Sequence, residues 1–297
     1  EARRNPLRSI CTSPPTLNEV LNILKNMKNQ KSPGTDNLPA ELLKYGAPTI
    51  AQSLTPLIRK VWITNQIPNS WKEGVVITVP KKGDLSQCKN WRGITLLNTI
   101  SKIMSLLILE RISPVVEPLL RKEQAGFRPN RSCADHINTL RIIIEQSIEY
   151  NSQIYLLFID FERAFDTVSR RALWDALALK GVPEKLISLI KELYTDSVSI
   201  VRFNGQESEP FQTTRGVKQG CVLSPTLFLI LLDCVMQQTN IDSPRGIHWN
   251  LNEYLNDIDY ADDLCLMAHR FSDIEEKLHK LATNANAVGL KINITKN

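Results

Sequence analysis

Three aspartates stand where the sequence predicts the ends of apolar strands. Asp160 directly follows the apolar run 154–159, and Asp262 and Asp263 lie near the bend of a predicted hairpin over residues 255–267. Carboxylates beside buried strands are costly unless a cation compensates their charge. Mg²⁺ prefers carboxylate and phosphate oxygens as ligands. Neighbouring strands that lay Asp160 beside Asp262 could hold two Mg²⁺ ions about 3.5–4 Å apart, as phosphoryl-transfer sites do.

The acidic pair also has an ordinary structural interpretation. An Asp-Asp dipeptide is a common turn element, because short acidic side chains bind nearby backbone N–H groups. The metal hypothesis therefore depends on other residues that serve the same chemistry.

The elements that must position the aspartates are predicted in the second half of the chain. The unbroken apolar run 154–159 predicts a strand buried on both faces. Residues 255–267 predict a strand, a turn and a second strand. A largely apolar helix is expected over about 224–238, and Ser272 with Glu275 predicts the capped start of a helix that ends near residue 287.

The first half is predicted to be mostly helical. Thr16 and Glu19 form a capping box for a first helix. Residues 74–80 are β-branched and predict a strand. A long helix is expected over 96–112, ended by Pro114. Another is expected over about 133–150, with one apolar face formed by Ile137, Leu140, Ile144 and Ile148.

Composition narrows the class of protein. The 297 residues are 42% hydrophobic and 23% charged, which suffices for one large domain or two smaller lobes. No apolar run approaches the roughly 20 residues of a membrane helix, and the cysteines and histidines lack zinc-ligand spacing. Residues 1–150 hold 21 Lys and Arg against 12 Asp and Glu, whereas residues 151–297 hold 15 against 19. The basic half suits a polyanionic partner, although chance drift of charge gives the same pattern.

Seven segments in order carry a resemblance to the reverse transcriptases of non-LTR (LINE-type) retrotransposons. Tyr260-Ala-Asp-Asp263 resembles their YxDD box. The other segments, which span roughly residues 31–296 together with that box, are Lys31-Ser-Pro-Gly-Thr-Asp36, Asn90-Trp-Arg-Gly-Ile-Thr-Leu-Leu97, Gln124-Ala-Gly-Phe-Arg-Pro-Asn-Arg131, Phe158-Ile-Asp-Phe-Glu-Arg-Ala-Phe-Asp166, Arg215-Gly-Val-Lys-Gln-Gly-Cys-Val-Leu-Ser-Pro225 and Gly289-Leu-Lys-Ile-Asn293 with Lys296.

The resemblance implies an α+β fold, the fingers and palm of a polymerase right hand, with an antiparallel palm sheet backed by helices. We expect a loose lead-in over residues 1–15, fingers over 16–150 and a palm over 151–297. No thumb follows and no endonuclease precedes these segments in the sequence, so we expect a fragment of a longer protein.

The implied activity is RNA-directed DNA synthesis with two Mg²⁺ ions, for which Mn²⁺ is a substitute. Asp160 and Asp262 are the implied metal ligands, together with the backbone carbonyl of Phe161. Asp263 is counted with the catalytic aspartates, but a strand would point it to the opposite face from Asp262, so we expect a weaker role. Phe165 is the implied steric gate that favours dNTPs, with an ordinary core phenylalanine as the alternative.

The remaining implied contacts concern the dNTP and the nucleic acid. Lys81 and Arg92 match residues that grip the triphosphate, and Lys82 is a close rival of Lys81. Gln219 and Gly220 match the motif that lies against the nascent base pair, and Gly220 would allow close backbone approach. Lys296 matches a lysine that protonates the leaving pyrophosphate. For the basic residues, a solvated charged surface is the alternative.

The implied partners are an RNA template, a DNA primer and dNTPs, with no membrane and an oligomeric state that the sequence leaves open. Arg128 and Arg131 would follow the template backbone, since phosphate contacts position a strand without reading its sequence. By analogy with retrotransposon proteins, the location is the nucleus and cytoplasm. Two alternatives stay open. One is a catalytically silent fragment that only binds nucleic acid, and the other is an RNA-dependent RNA polymerase, against which Phe165 argues.

Overall fold

The computed structural model describes residues 9–240, 245–249 and 253–294. The chain divides into two compact units. Unit 1 contains residues 1–116 and 177–225, and unit 2 contains residues 117–176 and 226–297. Each unit is thus built from two separate stretches of sequence. The assignment of residues 16–150 to fingers and of residues 151–297 to a palm stays a prediction.

Helices account for much of the described chain. Their bounds are α1 (Leu17–Asn26), α2 (Ala40–Tyr45), α3 (Ala47–Thr64), α4 (Asn69–Lys72), α5 (Thr99–Val116), α6 (Cys133–Glu149), α7 (Ala164–Thr167), α8 (Arg170–Leu179), α9 (Glu184–Tyr194), α10 (Ser224–Asn240) and α11 (Phe271–Ala287).

The strands fall into sheets that each lie within one unit. Their bounds are β1 (Gly74–Pro80), β2 (Trp91–Leu97), β3 (Tyr155–Ile159), β4 (Val198–Phe203), β5 (Gln206–Glu207), β6 (Phe211–Gln212), β7 (Ile247–His248), β8 (Tyr254–Leu255), β9 (Asp257–Tyr260) and β10 (Asp263–Ala268). The α+β class is therefore as predicted.

Unit 1 combines a helical core with a mixed sheet. Helix α1 packs on α3 and α5, and its capping box forms as predicted: Thr16 Oγ1 accepts a hydrogen bond from the Glu19 N–H, and the Glu19 carboxylate accepts one from the Thr16 N–H. The sheet has the order β2-β1-β4-β5, and β6 also pairs with β4. The β4–β5 turn has positive φ at Asn204 (49°) and Gly205 (79°), which is typical of an Asn-Gly hairpin turn.

The predicted long helix begins later and ends later than expected. Strand β2 takes up residues as far as Leu97, and the side chain of Asn98 then accepts hydrogen bonds from the first N–H groups of α5. Helix α5 continues to Val116, so Pro114 lies inside its last turn instead of ending it. Strand β2 was not predicted from the sequence. Pairing with β1 determines the conformation of these residues more than the local sequence pattern does.

Unit 2 is built on the antiparallel sheet β3-β10-β9. Helix α6 packs near β9, and α11 packs on β10 and β3. The predicted two-faced burial of 154–159 is wrong, because Phe158 is 60% exposed. Strand β3 lies at the edge of a three-stranded sheet, and an apolar run alone does not tell how many of its faces are covered.

Two helices of unit 2 differ in detail from the prediction. The predicted apolar face of α6 is mostly exposed, since Ile137, Ile144 and Ile148 are all accessible, whereas Ile143 enters the core with Ile258, Cys265 and Met267. Helix α11 begins at Phe271, so its Ser272 lies inside the helix and the predicted Ser272–Glu275 cap does not form.

Within the described part of the chain, no helix has both the length and the apolar character needed to cross a bilayer.

Candidate active site

The β9–β10 hairpin carries two of the three aspartates. Tyr260 pairs with Asp263, so Ala261 and Asp262 form a two-residue turn. Ala261 has φ of 58°, in the left-handed region, and is buried. Asp262 is half-buried and Asp263 is exposed. The turn thus presents both carboxylates at one end of the sheet.

Strand β3 brings Asp160 to the same end. Ile159 pairs with Leu264, the residue after Asp263, in an antiparallel ladder that runs back to Tyr155 and Ala268. Carried one residue further, this register sets Asp160 opposite Asp263. Opposite residues of an antiparallel pair project from the same face, so the register places Asp160 beside Asp263, at the end of the sheet that carries the Ala261-Asp262 turn.

The expected alternation of Asp262 and Asp263 assumed that both lie in a strand. Asp262 instead lies in the turn, and β10 begins at Asp263. The two carboxylates therefore need not point to opposite faces. The weaker role of Asp263 stays a prediction.

A second backbone segment secures the other side of Asp160. The Asn293 N–H donates to the Asp160 carbonyl at 2.8 Å, and Asn293 Nδ2 donates to Asp160 Oδ2 at 3.2 Å. Phe161 forms an isolated antiparallel bridge with Ile292, and the flanking Glu162 N–H donates to the Lys291 carbonyl at 2.8 Å. The hydrogen bonds of this bridge are made by the residues on either side of Phe161 and Ile292, which therefore form a non-hydrogen-bonded pair. In such a pair the Phe161 carbonyl points away from Ile292.

The donor set suits a hard cation that a substrate helps to bind. Among residues 9–240, 245–249 and 253–294, no three His, Cys, Asp or Glu side chains gather into a ready metal cage. Mg²⁺ typically takes only one or two protein carboxylates and completes its shell with water and substrate phosphates. The carboxylates of Asp160 and Asp262 and a main-chain carbonyl offer oxygen atoms of the kind that Mg²⁺ prefers.

Phe165 lies among aromatic rings five residues after Asp160. It belongs to the one-turn helix α7, which follows Arg163 in the left-handed conformation. Its ring stacks on the fully buried Phe228 with a centroid distance of 4.7 Å, and Phe127 meets it edge-on at 6.2 Å. Phe165 itself is only half-buried. Its ring is thus firmly held and still accessible, which agrees both with a gate and with a core residue.

A buried charge cluster lies along β9. The guanidinium of Arg121 contacts the carboxylates of Asp257 and Asp259, both almost fully buried. Burial and the nearby Asp257 raise the pKa of Asp259 well above its ordinary value, although Arg121 acts in the opposite direction. The backbone N–H of Arg121 also donates to the Asp233 carboxylate at 2.7 Å. These contacts fix β9 to the segment before residue 124.

The two arginines expected at the template have different surroundings. The side chain of Arg128 is 5% exposed, and its guanidinium binds the Glu117 carboxylate and the carbonyls of Arg121 and Gln124. In this arrangement Arg128 braces its own loop. Arg131 is exposed and donates to the Lys122 carbonyl at 3.2 Å. Their contact with a template stays a prediction.

In unit 1, the β1–β2 hairpin carries the basic residues assigned to the triphosphate. Arg92 pairs with Val79, and the Lys81 N–H continues the ladder by donating to the Asn90 carbonyl at 2.7 Å. Lys81 is two residues from Val79 and so shares the face of Arg92, whereas Lys82 is one residue out of phase. All three side chains are exposed. This register favours Lys81 over Lys82 as the partner of Arg92.

The loop with Gln219 and Gly220 covers the outer edge of β2. The Thr95 N–H donates to the Gln219 carbonyl at 2.5 Å. A Cβ on Gly220 would lie 2.4 Å from the Thr95 carbonyl oxygen, and Gly220 has φ of 112°, so this close approach requires glycine. The close approach seen here is to β2, at Thr95, and the expected contact of Gly220 with the nascent base pair stays a prediction.

Sequence reasoning missed several residues that hold these segments. Lys218 is buried, donates to the Lys72 carbonyl at 2.9 Å and lies over the Tyr194 ring at 5.7 Å, so it anchors the loop before Gln219. Asn293 lay within a recognised motif, but nothing in its position revealed its two bonds to Asp160. Such contacts depend on chain folding over long separations.

The N-terminal motif 31–36 packs against the start of α5. The Asp36 carboxylate accepts a hydrogen bond from the Thr99 N–H at 2.6 Å. A Cβ on Gly34 would lie 2.3 Å from the carbonyl carbon of Leu97, so this glycine permits the contact. Lys296, the remaining predicted site residue, lies outside the described residues.

The sequence of residues 79–297 matches the family described as "Reverse transcriptase (RNA-dependent DNA polymerase)". The match covers more than half of the chain, and the chain therefore belongs to the reverse transcriptase family.

Its curated relatives come from retrotransposable elements. The chain is 27% identical over 289 residues to the transposon TX1 uncharacterized 149 kDa protein of Xenopus laevis, a match that covers 96% of this chain and 22% of that protein. It is 26% identical over 265 residues to the retrovirus-related Pol polyprotein from the type-2 retrotransposable element R2DM of Drosophila melanogaster, with 89% and 24% covered. The chain thus spans about a quarter of the length of these relatives. They confirm the resemblance to non-LTR retrotransposon enzymes.

Solved structures confirm the predicted class of fold. Apo telomerase from Candida tropicalis, truncated from the C-terminal domain, superposes with a TM-score of 0.57 at 17% identity over 79% of this chain and 52% of that one. Telomerase from the same organism in complex with a TWJ fragment of telomeric RNA gives 0.55 at 16% identity, with 82% and 44% covered. The likeness supports the right-hand polymerase fold.

Proposed function

We propose that this chain carries the catalytic centre of an RNA-directed DNA polymerase of a non-LTR retrotransposon. The observation that carries the proposal is the β3–β10 register, which brings Asp160 to the Asp262-Asp263 turn in a chain of the reverse transcriptase family. The reaction joins a dNTP to the 3′-hydroxyl of a DNA primer and releases pyrophosphate, with RNA as the template.

Asp160, Asp262 and the carbonyl of Phe161 would hold the divalent cations, as their oxygen chemistry fits Mg²⁺ or the substitute Mn²⁺. When bound, a pair of such ions activates the attacking hydroxyl and stabilises charge on the phosphate oxygens. The protein's part is to keep the ligands in place: β3, β10 and the Asn293 contacts fix Asp160, and the hairpin turn fixes Asp262. Asp263, the first residue of β10, would have a weaker role.

Lys81 and Arg92 would bind the triphosphate of the incoming nucleotide. Lys81 and Arg92 share one face of the β1–β2 hairpin, and their ammonium and guanidinium groups suit triphosphate oxygens. Gln219 and Gly220 would lie against the nascent base pair. Lys296 would donate the proton that the leaving pyrophosphate takes up. This part of the proposal rests on the resemblance and on the hairpin register.

Phe165 sets the choice of sugar. A phenyl ring held between Phe228 and Phe127 cannot move aside easily, so it would clash with a ribose 2′-hydroxyl and admit a deoxyribose. This distinguishes the proposed activity from an RNA-dependent RNA polymerase. Arg131, which is exposed, is the better placed of the two arginines for a template phosphate.

The partners follow from the reaction: an RNA template, a DNA primer and dNTPs. An element that copies itself into chromosomes has to act in the nucleus after synthesis in the cytoplasm. The excess of basic residues over 1–150 supports binding of a polyanion.

The direct test is primer extension by the purified chain on an RNA template with an annealed DNA primer. Mg²⁺-dependent addition of dNTPs, without addition of rNTPs, is the expected result. Salt-sensitive binding of the RNA–DNA hybrid without any extension would instead identify a silent nucleic-acid-binding fragment. Extension with rNTPs in preference to dNTPs would identify an RNA polymerase.

A further inference from the structure

The turn that presents Asp262 contains an unfavourable backbone conformation. Ala261, directly before Asp262, has φ of 58° and is 5% exposed. A residue with a side chain disfavours the left-handed region, so such a conformation persists only where its surroundings impose it. Glycine at this position would need no such support. Something outside the hairpin must therefore stabilise Ala261.

Gln124 supplies that support with both ends of its side-chain amide. Its Oε1 accepts a hydrogen bond from the Ala261 N–H at 2.8 Å, and its Nε2 donates to the Ala261 carbonyl at 3.1 Å. The same Oε1 also accepts from the Gly126 N–H at 2.7 Å. Gln124 is 3% exposed. In such a buried place each of these bonds is costly to lose.

The backbone around Gln124 is joined to β9 as well. Gln124 forms a parallel bridge with Asp259, in which the Ala125 N–H donates to the Asp259 carbonyl at 2.9 Å. The Asp259 N–H in turn donates to the Glu123 carbonyl at 3.0 Å. The segment 123–126 thus covers the outer edge of β9 and leads the Gln124 side chain to the turn.

Gly126 allows the segment to come this close. A Cβ built on Gly126 would lie 2.1 Å from the Ala261 nitrogen and 2.6 Å from its Cα. No side chain fits against a backbone at that distance. Gly126 and Gln124 therefore both pack against the backbone of Ala261 from the same side.

We propose that Gln124 is a positioning residue for catalysis, which fixes the backbone of Ala261 and thereby the direction in which the Asp262 carboxylate leaves the turn. It acts through Ala261 and contacts neither the substrate nor the cation. The effect of Gln124 on catalysis rests on the proposed function. The contact itself can be tested without any activity.

The first test uses the unaltered chain and measures hydrogen exchange of single amides. In a two-residue hairpin the N–H of the first turn residue has no partner within the hairpin, so protection at Ala261 reports the Gln124 contact. We expect the Ala261 amide to exchange about a hundredfold or more slowly than an open turn amide. Exchange at the rate of an open turn would overturn the proposal.

The second test compares Gln124→Met and Gln124→Glu with Gln153→Met. Methionine keeps the length of the side chain and loses all three bonds, whereas glutamate keeps the acceptor and loses the donor. Gln153 is an exposed control in the same unit, where its Nε2 donates to the Tyr155 hydroxyl at 2.7 Å. Circular dichroism verifies folding of each variant.

Two readouts separate positioning from a merely structural role. We expect Mn²⁺ affinity, measured by electron paramagnetic resonance, to fall about tenfold in Gln124→Met, with kcat reduced about 10- to 100-fold and the KM for dTTP changed less than about threefold. The Gln153→Met values should match those of the parent. Unchanged Mn²⁺ affinity and kcat in a folded Gln124 variant would overturn the proposal.

The tests also separate this inference from the proposed function. If the parent chain incorporates no nucleotide, the proposed activity fails, while exchange at Ala261 and Mn²⁺ affinity still decide the role of Gln124. If Gln124→Met does not fold, Gln124→Glu and the exchange rate of the parent decide it instead.

Discussion

Asn293 binds Asp160 at two points, through its backbone N–H to the Asp160 carbonyl at 2.8 Å and through its side-chain Nδ2 to Asp160 Oδ2 at 3.2 Å. The two residues are 133 positions apart in sequence. Main chain and carboxylate of Asp160 are thus held by one residue of the segment that follows α11.

Replacing Asn293 with alanine should therefore loosen the Asp160 carboxylate and leave the backbone contact in place. A single hydrogen bond to a charged group contributes about 1.5–3 kcal/mol, and the carboxylate here is only partly buried, so we expect kcat to fall roughly tenfold. Steady-state primer extension measures this. Asn286→Ala, an exposed position at the end of α11, is the control, and equal rates in both variants would contradict the role of Asn293.

Phe165→Ala should relax discrimination against ribonucleotides. Removing the ring vacates the space beside Phe228, so a 2′-hydroxyl no longer clashes, and we expect the dNTP/rNTP preference to fall roughly 10- to 100-fold. The ratio of kcat/KM for dTTP and rUTP measures it. Phe271→Ala removes an exposed ring that contacts Tyr155 and serves as the control. Undiminished preference in Phe165→Ala would show that the gate lies elsewhere.

The β1–β2 register separates two adjacent lysines. Lys81 shares the face of Arg92 and Lys82 does not, so Lys81→Ala should raise the KM for dNTP about tenfold, and Lys82→Ala should change it less than about threefold. Nucleotide titrations of primer extension distinguish the two. The opposite order would mean that the hairpin register does not decide which lysine binds the triphosphate.

Buried Lys277 should make the free energy of unfolding increase with pH in the alkaline range. Burial lowers the pKa of Lys277 from 10.5 to about 8, although its ammonium donates to the Met267 carbonyl at 2.6 Å. Between these pH values the unfolded chain binds a proton that the folded chain does not, so the free energy of unfolding should rise as pH increases from about 8 toward 10.5.

The matched variant is Lys277→Met, which fills the same space without an ionisable group. Urea unfolding on either side of the lowered pKa, at about pH 7.5 and about pH 9.5, gives the change in the free energy of unfolding for each protein. We expect a more positive change in the parent than in the variant. Identical changes in the two proteins would show that Lys277 has its ordinary pKa in the folded chain.

Local pattern was enough to predict the hairpin, the strand before Asp160 and the helices that correspond to α1, α5, α6, α10 and α11. The apolar run 154–159 and the alternation around the acidic pair identify strands directly, and the order of motifs predicts the family. The Thr16–Glu19 cap is also a short-range feature, and it occurs as predicted.

Contacts over long sequence separations could not be predicted in this way. Gln124 binds Ala261 across 137 positions, and β2 exists because β1 lies beside it. The alternation rule does not apply at Asp262 because the turn includes that residue, which no local pattern of the acidic pair reveals. Likewise, Arg128 looks like a surface residue in sequence and is enclosed by Glu117 and nearby carbonyls.

The proposed catalytic centre depends most directly on the carboxylates of Asp160 and Asp262. The decisive measurement is Mg²⁺-dependent incorporation of labelled dTTP on an RNA template with a DNA primer, for the parent chain, Asp160→Asn, Asp262→Asn and the exposed control Asp84→Asn. We predict incorporation by the parent and the control, and a loss of at least about a thousandfold in both site variants, whose amides cannot replace carboxylate ligands. Parent-like incorporation by either site variant would contradict the proposed catalytic centre.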